Sequence, residues 1–298
     1  MCVGYLKTII GIPAFNEEKN IGKLLDFLIK DIPKEINSIY VVSSGSTDRT
    51  DAIVISRQEK NPTISLVSEP VRGGKSSAVN TILSKGKDHD AIVCIDADHL
   101  PTGSSIKLIV ESLKNDRLGV VSGRLIPVDD ASKLQGFCVH LTYNLHHLIS
   151  LDTPKISGEF MAFRTKVVTK LLPMIVNDDV YIQMIFKNKG YEVGYCPEAK
   201  VYLKGPSTVV EFFQQRRRIF IGHHQIRQLF GRVAPTMKWP GWKAIFRACP
   251  IKGMRAKFYL LIFLALQGSA LLFSMWDFLI GRVPYKWAVI ESTKSIRS

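Results

Sequence analysis

The sequence predicts an α/β fold: a mostly parallel sheet covered by helices on both faces. Three observations carry the prediction. Strand-like and helix-like segments alternate from Lys7 to Ile95, the pattern of chained β-α units. Ala91–Ile95 (AIVCI) is apolar throughout, as a strand buried on both faces must be. Clusters of polar residues follow three of the strands, where open α/β sheets bind ligands.

Lys7–Ile12 is the first strand. Glu17–Lys30 follows as a helix, with Ile21, Leu24, Leu25 and Leu28 on one face. Ser38–Ser43 is a second strand, and Thr47–Arg57 a helix that Ser46 or Thr47 can cap. Thr63–Val67 is a third strand, Ser76–Lys85 a helix and Ala91–Ile95 the fourth strand, with Pro101 stopping any continuation. Beyond Leu125 the order is less regular. Helical character is expected over Ser132–Ile149 and Asp178–Lys187, strands over Phe160–Phe163, Glu192–Tyr195 and Lys200–Leu203, and a basic helix over Val209–Leu229.

The chain of 298 residues is 46% hydrophobic and 22% charged, which supports a sizeable core and excludes a disordered chain. Its net charge of +14 is uneven: residues 201–298 hold 16 Lys/Arg against 3 Asp/Glu, and residues 1–200 hold 24 against 23. A basic last third points to an anionic partner. Cys2, Cys94, Cys138, Cys196 and Cys249 are odd in number and form no CxxC pair, so neither a zinc ribbon nor a disulfide framework is indicated. The apolar run in Met1–Ile12 is too short for a signal peptide.

Phe258–Ile280 is long and apolar enough to cross a bilayer, with Asp277 its one ionisable side chain. Lys238, Lys243, Arg247, Lys252, Arg255 and Lys257 precede it, interleaved with Trp239, Trp242 and Phe246. Indole rings favour headgroup level, and the cations meet anionic lipid. Arg282, Lys286, Lys294 and Arg297 follow, but the heavier basic side precedes the span and places the domain before it in the cytosol. No nucleic-acid motif accompanies the basic stretch. The expected division is a domain over 1–230, an interfacial segment over 231–257, a span over 258–280 and a tail over 281–298.

Asp96 and Asp98 flank Ala97 just after the fourth strand. Carboxylates this close repel unless a cation or proton intervenes, and oxygen ligands suit Mg²⁺ or Mn²⁺. Loop aspartates also arise without a metal. Pro13-Ala14-Phe15-Asn16-Glu17 turns the first strand into the first helix; Phe15 can stack on a nucleobase and Glu17 can hydrogen-bond a ligand, or both are structural. Arg72-Gly73-Gly74-Lys75-Ser76 resembles a phosphate loop, but Glu69 stands where a P-loop needs glycine. Lys75 can touch phosphate or brace the Asp pair. Of Asp178 and Asp179, one can cap the helix they open and the other can accept a proton. Gln215 and Arg218 share a helix face and can bind phosphate oxygens, or the three arginines 216–218 grip lipid headgroups.

In this order, Pro13-Ala14-Phe15-Asn16-Glu17, Ser44-Gly45-Ser46-Thr47-Asp48, Arg72-Gly73-Gly74-Lys75, Asp96-Ala97-Asp98, Asp178-Asp179 and Gln215-x-x-Arg218 resemble a membrane-anchored, inverting family 2 glycosyltransferase over about Thr8 to His224. The resemblance implies the GT-A fold, a Rossmann-like mixed sheet that binds nucleotide-diphospho-sugars. It implies that Pro13, Phe15 and Glu17 line the nucleotide pocket with Ser44, Lys75 and Ala97 beside them, that Asp96 faces ribose or metal, that Asp98 is the firmer ligand for Mg²⁺ or Mn²⁺, and that Asp179 is the base. Gln215 and Arg218 match the Q-x-x-R-W motif of membrane-bound synthases, with Ile219 in place of Trp. Ser43-Ser44 stand where the family often has an acid, leaving the nucleotide open between UDP and GDP. One visible span disfavours a polymer channel. The expectation is a non-processive transferase acting on a membrane lipid. A polyprenyl-phosphate glycosyltransferase, a sugar nucleotidyltransferase and an inactive surface scaffold are the alternatives.

Overall fold

The computed structural model describes residues 5–30, 32–283 and 291–293. Cys2 and the tail cations Lys286, Lys294 and Arg297 lie outside them. In chain order the elements are β1 (Thr8–Ala14), α1 (Ile21–Lys30), β2 (Ile36–Ser44), α2 (Thr50–Gln58), β3 (Ile64–Glu69), α3 (Lys75–Gly86), β4 (Ala91–Ile95), β5 (Leu100–Pro101), α4 (Ser105–Ser112) and β6 (Leu118–Pro127). They continue with α5 (Leu134–Asp152), β7 (Phe160–Arg164), α6 (Asp178–Asn188), β8 (Glu192–Leu203), α7 (Val209–Phe230), α8 (Trp242–Ala248) and α9 (Met254–Leu279).

All eight strands join one sheet in the order β3-β2-β1-β4-β7-β6-β8-β5. The half from β3 to β4 is parallel, β7 runs antiparallel between β4 and β6, and β6 pairs parallel with β8. Alternation within strands divides the core: Ile10, Ile12, Val41 and Val93 pack with α1 and α4 on one face, and Ile9, Val42, Ile92 and Cys94 pack with α3 and α6 on the other. A third cluster lies off the sheet. It joins Phe137 and Leu141 of α5 and Phe212 of α7 to Ile245 of α8 and Leu260 and Phe263 of α9.

Several expectations are corrected. The fourth strand ends at Ile95, and a separate two-residue edge strand, Leu100–Pro101, stops at Pro101 after pairing antiparallel with Tyr202 and Val201, where proline's missing N–H costs no ladder bond. Glu192–Tyr195 and Lys200–Leu203 are one strand, β8, bulged opposite Gly123 and Arg124, so the break in its pattern is a register shift. α1 begins at Ile21, not Glu17, and α2 at Thr50, not Thr47. The residues before both helices are spent on hydrogen bonds to one another, and Asp48, not Ser46 or Thr47, accepts from the N–H of Thr50 at 2.9 Å. α4 and β6 add to the expected elements: α4 buries Ile106, Ile109, Val110 and Leu113 at helical spacing over only two turns, and β6, interrupted by Gly119, Ser122 and Gly123, has no clean alternation.

Among the described residues α9 is the one helix long and apolar enough to cross a membrane. It starts four residues before the expected Phe258. It does not stand apart: it packs along α7, through Phe212 on Phe263, Arg216 on Gln267 and His224 on Ser274. Arg217 clasps Asp277 through two hydrogen bonds of 2.5 and 2.6 Å. Of the three arginines 216–218, two therefore hold α9.

Candidate active site

The ends of β1 and β2 are tied by side chains. Asn16 takes a left-handed conformation (φ 52°), a shape that asparagine tolerates well. Its N–H donates to Ser46 Oγ at 3.0 Å, and its Oδ1 accepts from the N–H of Thr47 at 2.8 Å. Glu17 is buried, its N–H donating to Thr50 Oγ1 and its carboxylate accepting from Asn20. Gly45 has φ +70°, and a Cβ there would lie 2.5 Å from the backbone nitrogen of Arg72, so only glycine admits this approach. The loop so held brings the Arg72 guanidinium 4.0 Å from the Phe15 ring centre, a cation–π pair that occupies one face of the ring.

Ser44 has a definite task. Its hydroxyl donates to Glu69 Oε2 at 2.6 Å and accepts from the N–H of Gly73 at 3.0 Å. Thr81 and Ser77 hold the same carboxylate. An acid at position 44 would face Glu69 and repel it, which explains why serine stands there. Ser43 is fully buried and bonded to Ser46.

Lys75 opens α3 and braces the aspartate pair, with Nζ 2.6 and 2.8 Å from the two Asp96 oxygens and 3.2 Å from the Gly158 carbonyl. Asp98 Oδ1 lies 2.7 Å from Nδ1 of His99. Ligand atoms from Asp96, Asp98 and His99 all lie within 4.8 Å of one another. His99 is buried, and its Nε2 has no hydrogen-bond partner. Nδ1 donates to Asp98; burial pushes His99 down, but the Asp98, Asp96 and Glu159 carboxylates raise it above its ordinary value, and a divalent cation would take the place of that proton at Nε2. Two carboxylates and an imidazole fit a divalent cation. Lys75 engages Asp96 and His99 engages Asp98, so a cation would share both carboxylates with partners already in place.

β7 runs antiparallel to β4, so its start meets the end of β4, and the N–H of Asp96 donates to the Glu159 carbonyl. Burial pushes the Glu159 carboxyl up, but Lys75, His99 and the Ser157 hydroxyl carry it below its ordinary value. Asp178 and Asp179 open α6 beside it. Asp178 is buried, its Oδ2 is unpartnered, and burial pushes it up to about 6 against the pull of Lys75. Asp179 accepts from Lys155 Nζ at 2.9 Å. Burial raises Asp179 too, yet the Lys155 cation and its hydrogen bond carry it below the ordinary carboxylate value. His146 and His223 stand near Lys155; burial and that cation push both down to about 3, so both are neutral.

This arrangement predicts a pH effect. If Asp179 acts ionised, activity rises with pH through its pKa, and Lys155 moves that limb to lower pH. Lys155→Met should move the acid limb of kcat/KM to higher pH by about one unit or more; an unmoved limb would separate Lys155 from the function of Asp179.

α7 completes the site with Gln215 and Arg218 on the inner face. Burial pushes the Arg218 guanidinium down, and the Glu159, Asp178 and Asp96 carboxylates act against that; it remains a cation. One cavity of ≈ 760 Å³ is lined by Pro13, Phe15, Glu17, Ser44, Lys75, Asp96, Ala97, Asp98, Asp179, Gln215 and Arg218. His99, Lys155, Glu159 and Asp178 line it as well. His99 was legible beside Asp98. Lys155 and Glu159 carried no signal, because their place depends on β7 pairing antiparallel with β4.

Residues 9–172 match the model of glycosyl transferase family 2, and residues 91–290 that of glycosyl transferase family group 2. The probable glycosyltransferase YdaM of Bacillus subtilis strain 168 is 28% identical over 235 residues, 74% of this chain and 56% of the relative. The poly-beta-1,6-N-acetyl-D-glucosamine synthase of Staphylococcus aureus strain COL is 24% identical over 252 residues, 79% of this chain and 59% of the relative. The chain thus spans 56–59% of the length of these curated relatives. Among solved structures, the mannosyltransferase PcManGT from Pyrobaculum calidifontis, in complex with GDP-Man and Mn²⁺, has a TM-score of 0.67 at 21% identity, covering 94% of this chain and 88% of its own. Glucosyl-3-phosphoglycerate synthase from Mycobacterium tuberculosis, in complex with Mn²⁺, UDP and glucosyl-3-phosphoglycerate, has a TM-score of 0.53 at 16% identity, covering 76% and 80%. These two share the fold. With the first family model matched over more than half its length, the chain belongs to glycosyl transferase family 2.

Proposed function

We propose that the chain moves a sugar from a UDP- or GDP-sugar to a membrane lipid, with inversion at the anomeric carbon. One observation carries this reading: the cavity runs unbroken from the strand ends and Asp98 past Asp179 to an apolar wall on α9. A soluble acceptor has no use for such a wall. The donor belongs at the strand ends, among Pro13, Phe15, Glu17, Ser44 and Ala97; the two fold neighbours are solved with GDP-Man and with UDP. Asp98 and His99, with Asp96, would hold Mg²⁺ or Mn²⁺, which offsets charge on the departing diphosphate. Arg218 and Gln215 bind diphosphate oxygens from the side of α7. Asp179 takes the proton from the acceptor hydroxyl, and attack opposite the diphosphate inverts the sugar carbon.

Residues 1–230 carry catalysis in this reading, 231–257 rest on an anionic cytosolic face, and 258–280 enter the bilayer. Support comes from the exposed Trp239, Trp242 and Phe246, where Trp239 meets Trp242 edge to face and Trp242 stacks on Phe246, and from Phe258, Leu261, Leu272, Trp276 and Leu279 exposed on α9.

A second reading, transfer to a polyprenyl phosphate, is favoured by the Lys155 contact, which lowers the proton affinity of Asp179. A phosphate acceptor is already ionised and needs no base. Asp179→Asn separates the two: a hydroxyl acceptor should lose about 10²–10⁴-fold in kcat, whereas a phosphate acceptor should leave it within a few-fold.

A further inference from the structure

α9 carries a glycine, Gly268, inside a long apolar run. Glycine within a helix costs about 0.8–1 kcal/mol against alanine. In membrane helices it is usually kept where two backbones approach closely. That reason does not hold here. A Cβ on Gly268 would meet nothing within 4 Å, and the residue is exposed. Yet Gly268 lines the catalytic cavity, together with Leu264, Gln267 and Leu271 of α9 and Ile219 of α7. On either side of it α9 is closed against α7, by Phe212 with Phe263 before and by Arg217 with Asp277 after. The missing side chain thus leaves space in an apolar arm that opens from the site towards α9.

We propose that this arm takes one hydrocarbon chain of the acceptor, and that Gly268 keeps its mouth open. The inference rests on the lipid-acceptor reading and gives it a route: the chain lies between α7 and α9 while the headgroup reaches Asp179. The occupant follows from the lining. Leu264, Leu271 and Ile219 offer no hydrogen bonds to a sugar, and the arm meets the helix whose outer face carries exposed Leu261, Leu272 and Trp276. Gln267 and Arg216, paired at 3.0 Å, line the same cavity and give a headgroup polar contacts beside the apolar lining.

The test uses a long-chain alcohol bearing a diazirine, photolysed with the full chain in phosphatidylglycerol vesicles and mapped by mass spectrometry. The wild type should be labelled on α9 around Leu264–Leu271 and on α7 around Ile219. Gly268→Trp should lower that labelling at least tenfold, and Gly268→Ala should keep it. Retained binding of UDP or GDP by Gly268→Trp shows that it is folded. Labelling confined to Leu261, Leu272 and Trp276, or labelling of the arm that survives Gly268→Trp, would overturn the proposal. Failure of the acceptor reading looks different: the arm is labelled, but the wild type places no sugar in lipid extract.

Discussion

Asp98→Ala is expected to lower sugar transfer by about 10³-fold, the scale on which active sites lose a principal electrostatic contact to the leaving group. The reason lies in how the three donors are placed. Loss of Asp98 removes one of the two carboxylates among them and strips His99 of its Nδ1 partner, while the carboxylate that remains, Asp96, is neutralised by Lys75. Nucleotide affinity should fall in the same variant, and only in its metal-dependent part. Calorimetric titration of UDP and GDP with and without Mn²⁺ reads this directly: the wild type should bind more tightly with Mn²⁺, and Asp98→Ala should bind alike in both. Normal transfer by Asp98→Ala would remove the metal role from this residue. An inactive surface scaffold would give no metal-dependent heat even in the wild type.

The second large effect is on α9. Asp277→Ala should cost about 3 kcal/mol, the lower end of the range for breaking a buried ion pair, because Arg217 keeps 30% side-chain exposure and can turn towards water. Asp277 itself is only 3% exposed at its side chain. The loss should reach the site as well. Arg217 shares α7 with Gln215 and Arg218, so freeing it loosens the helix that presents both to the diphosphate. Thermal unfolding in detergent should fall by several degrees, and KM for the donor should rise more than kcat falls. Arg217→Met combined with Asp277→Leu should recover most of the stability, since an apolar pair of similar size avoids stranding either charge. Wild-type stability in Asp277→Ala would mean that the clasp does not hold α9 to the catalytic domain.

Much of this was legible in the sequence because its signals were local. The first four strands and three helices announce themselves through period and through buried runs such as AIVCI. Gln215 and Arg218 share a helix face by spacing alone. The illegible parts depend on pairings distant in the chain. Lys155 and Glu159 enter the site only because β7 inserts antiparallel beside β4. The bulge in β8 looked like a gap between two strands. Ser44 looked like a missing acid until Glu69, brought alongside by parallel β3, showed what its hydroxyl holds. Asp277 looked like a stray charge at the end of a span, and its partner lies sixty residues earlier in the chain. The mixed half of the sheet beyond β4 and the helix-to-helix cluster off its edge are where sequence period says least.

The most direct test of the account is the fate of the sugar. The full chain in phosphatidylglycerol vesicles, with Mn²⁺ and lipid extract, is given radiolabelled UDP- and GDP-sugars in turn, and the label is partitioned between organic and aqueous phases. Label from one donor should enter the organic phase as a single-sugar lipid, with loss of that product on chelation of the metal. Label that instead accumulates in a water-soluble polymer, or pyrophosphate released from nucleoside triphosphate and sugar phosphate, would contradict it.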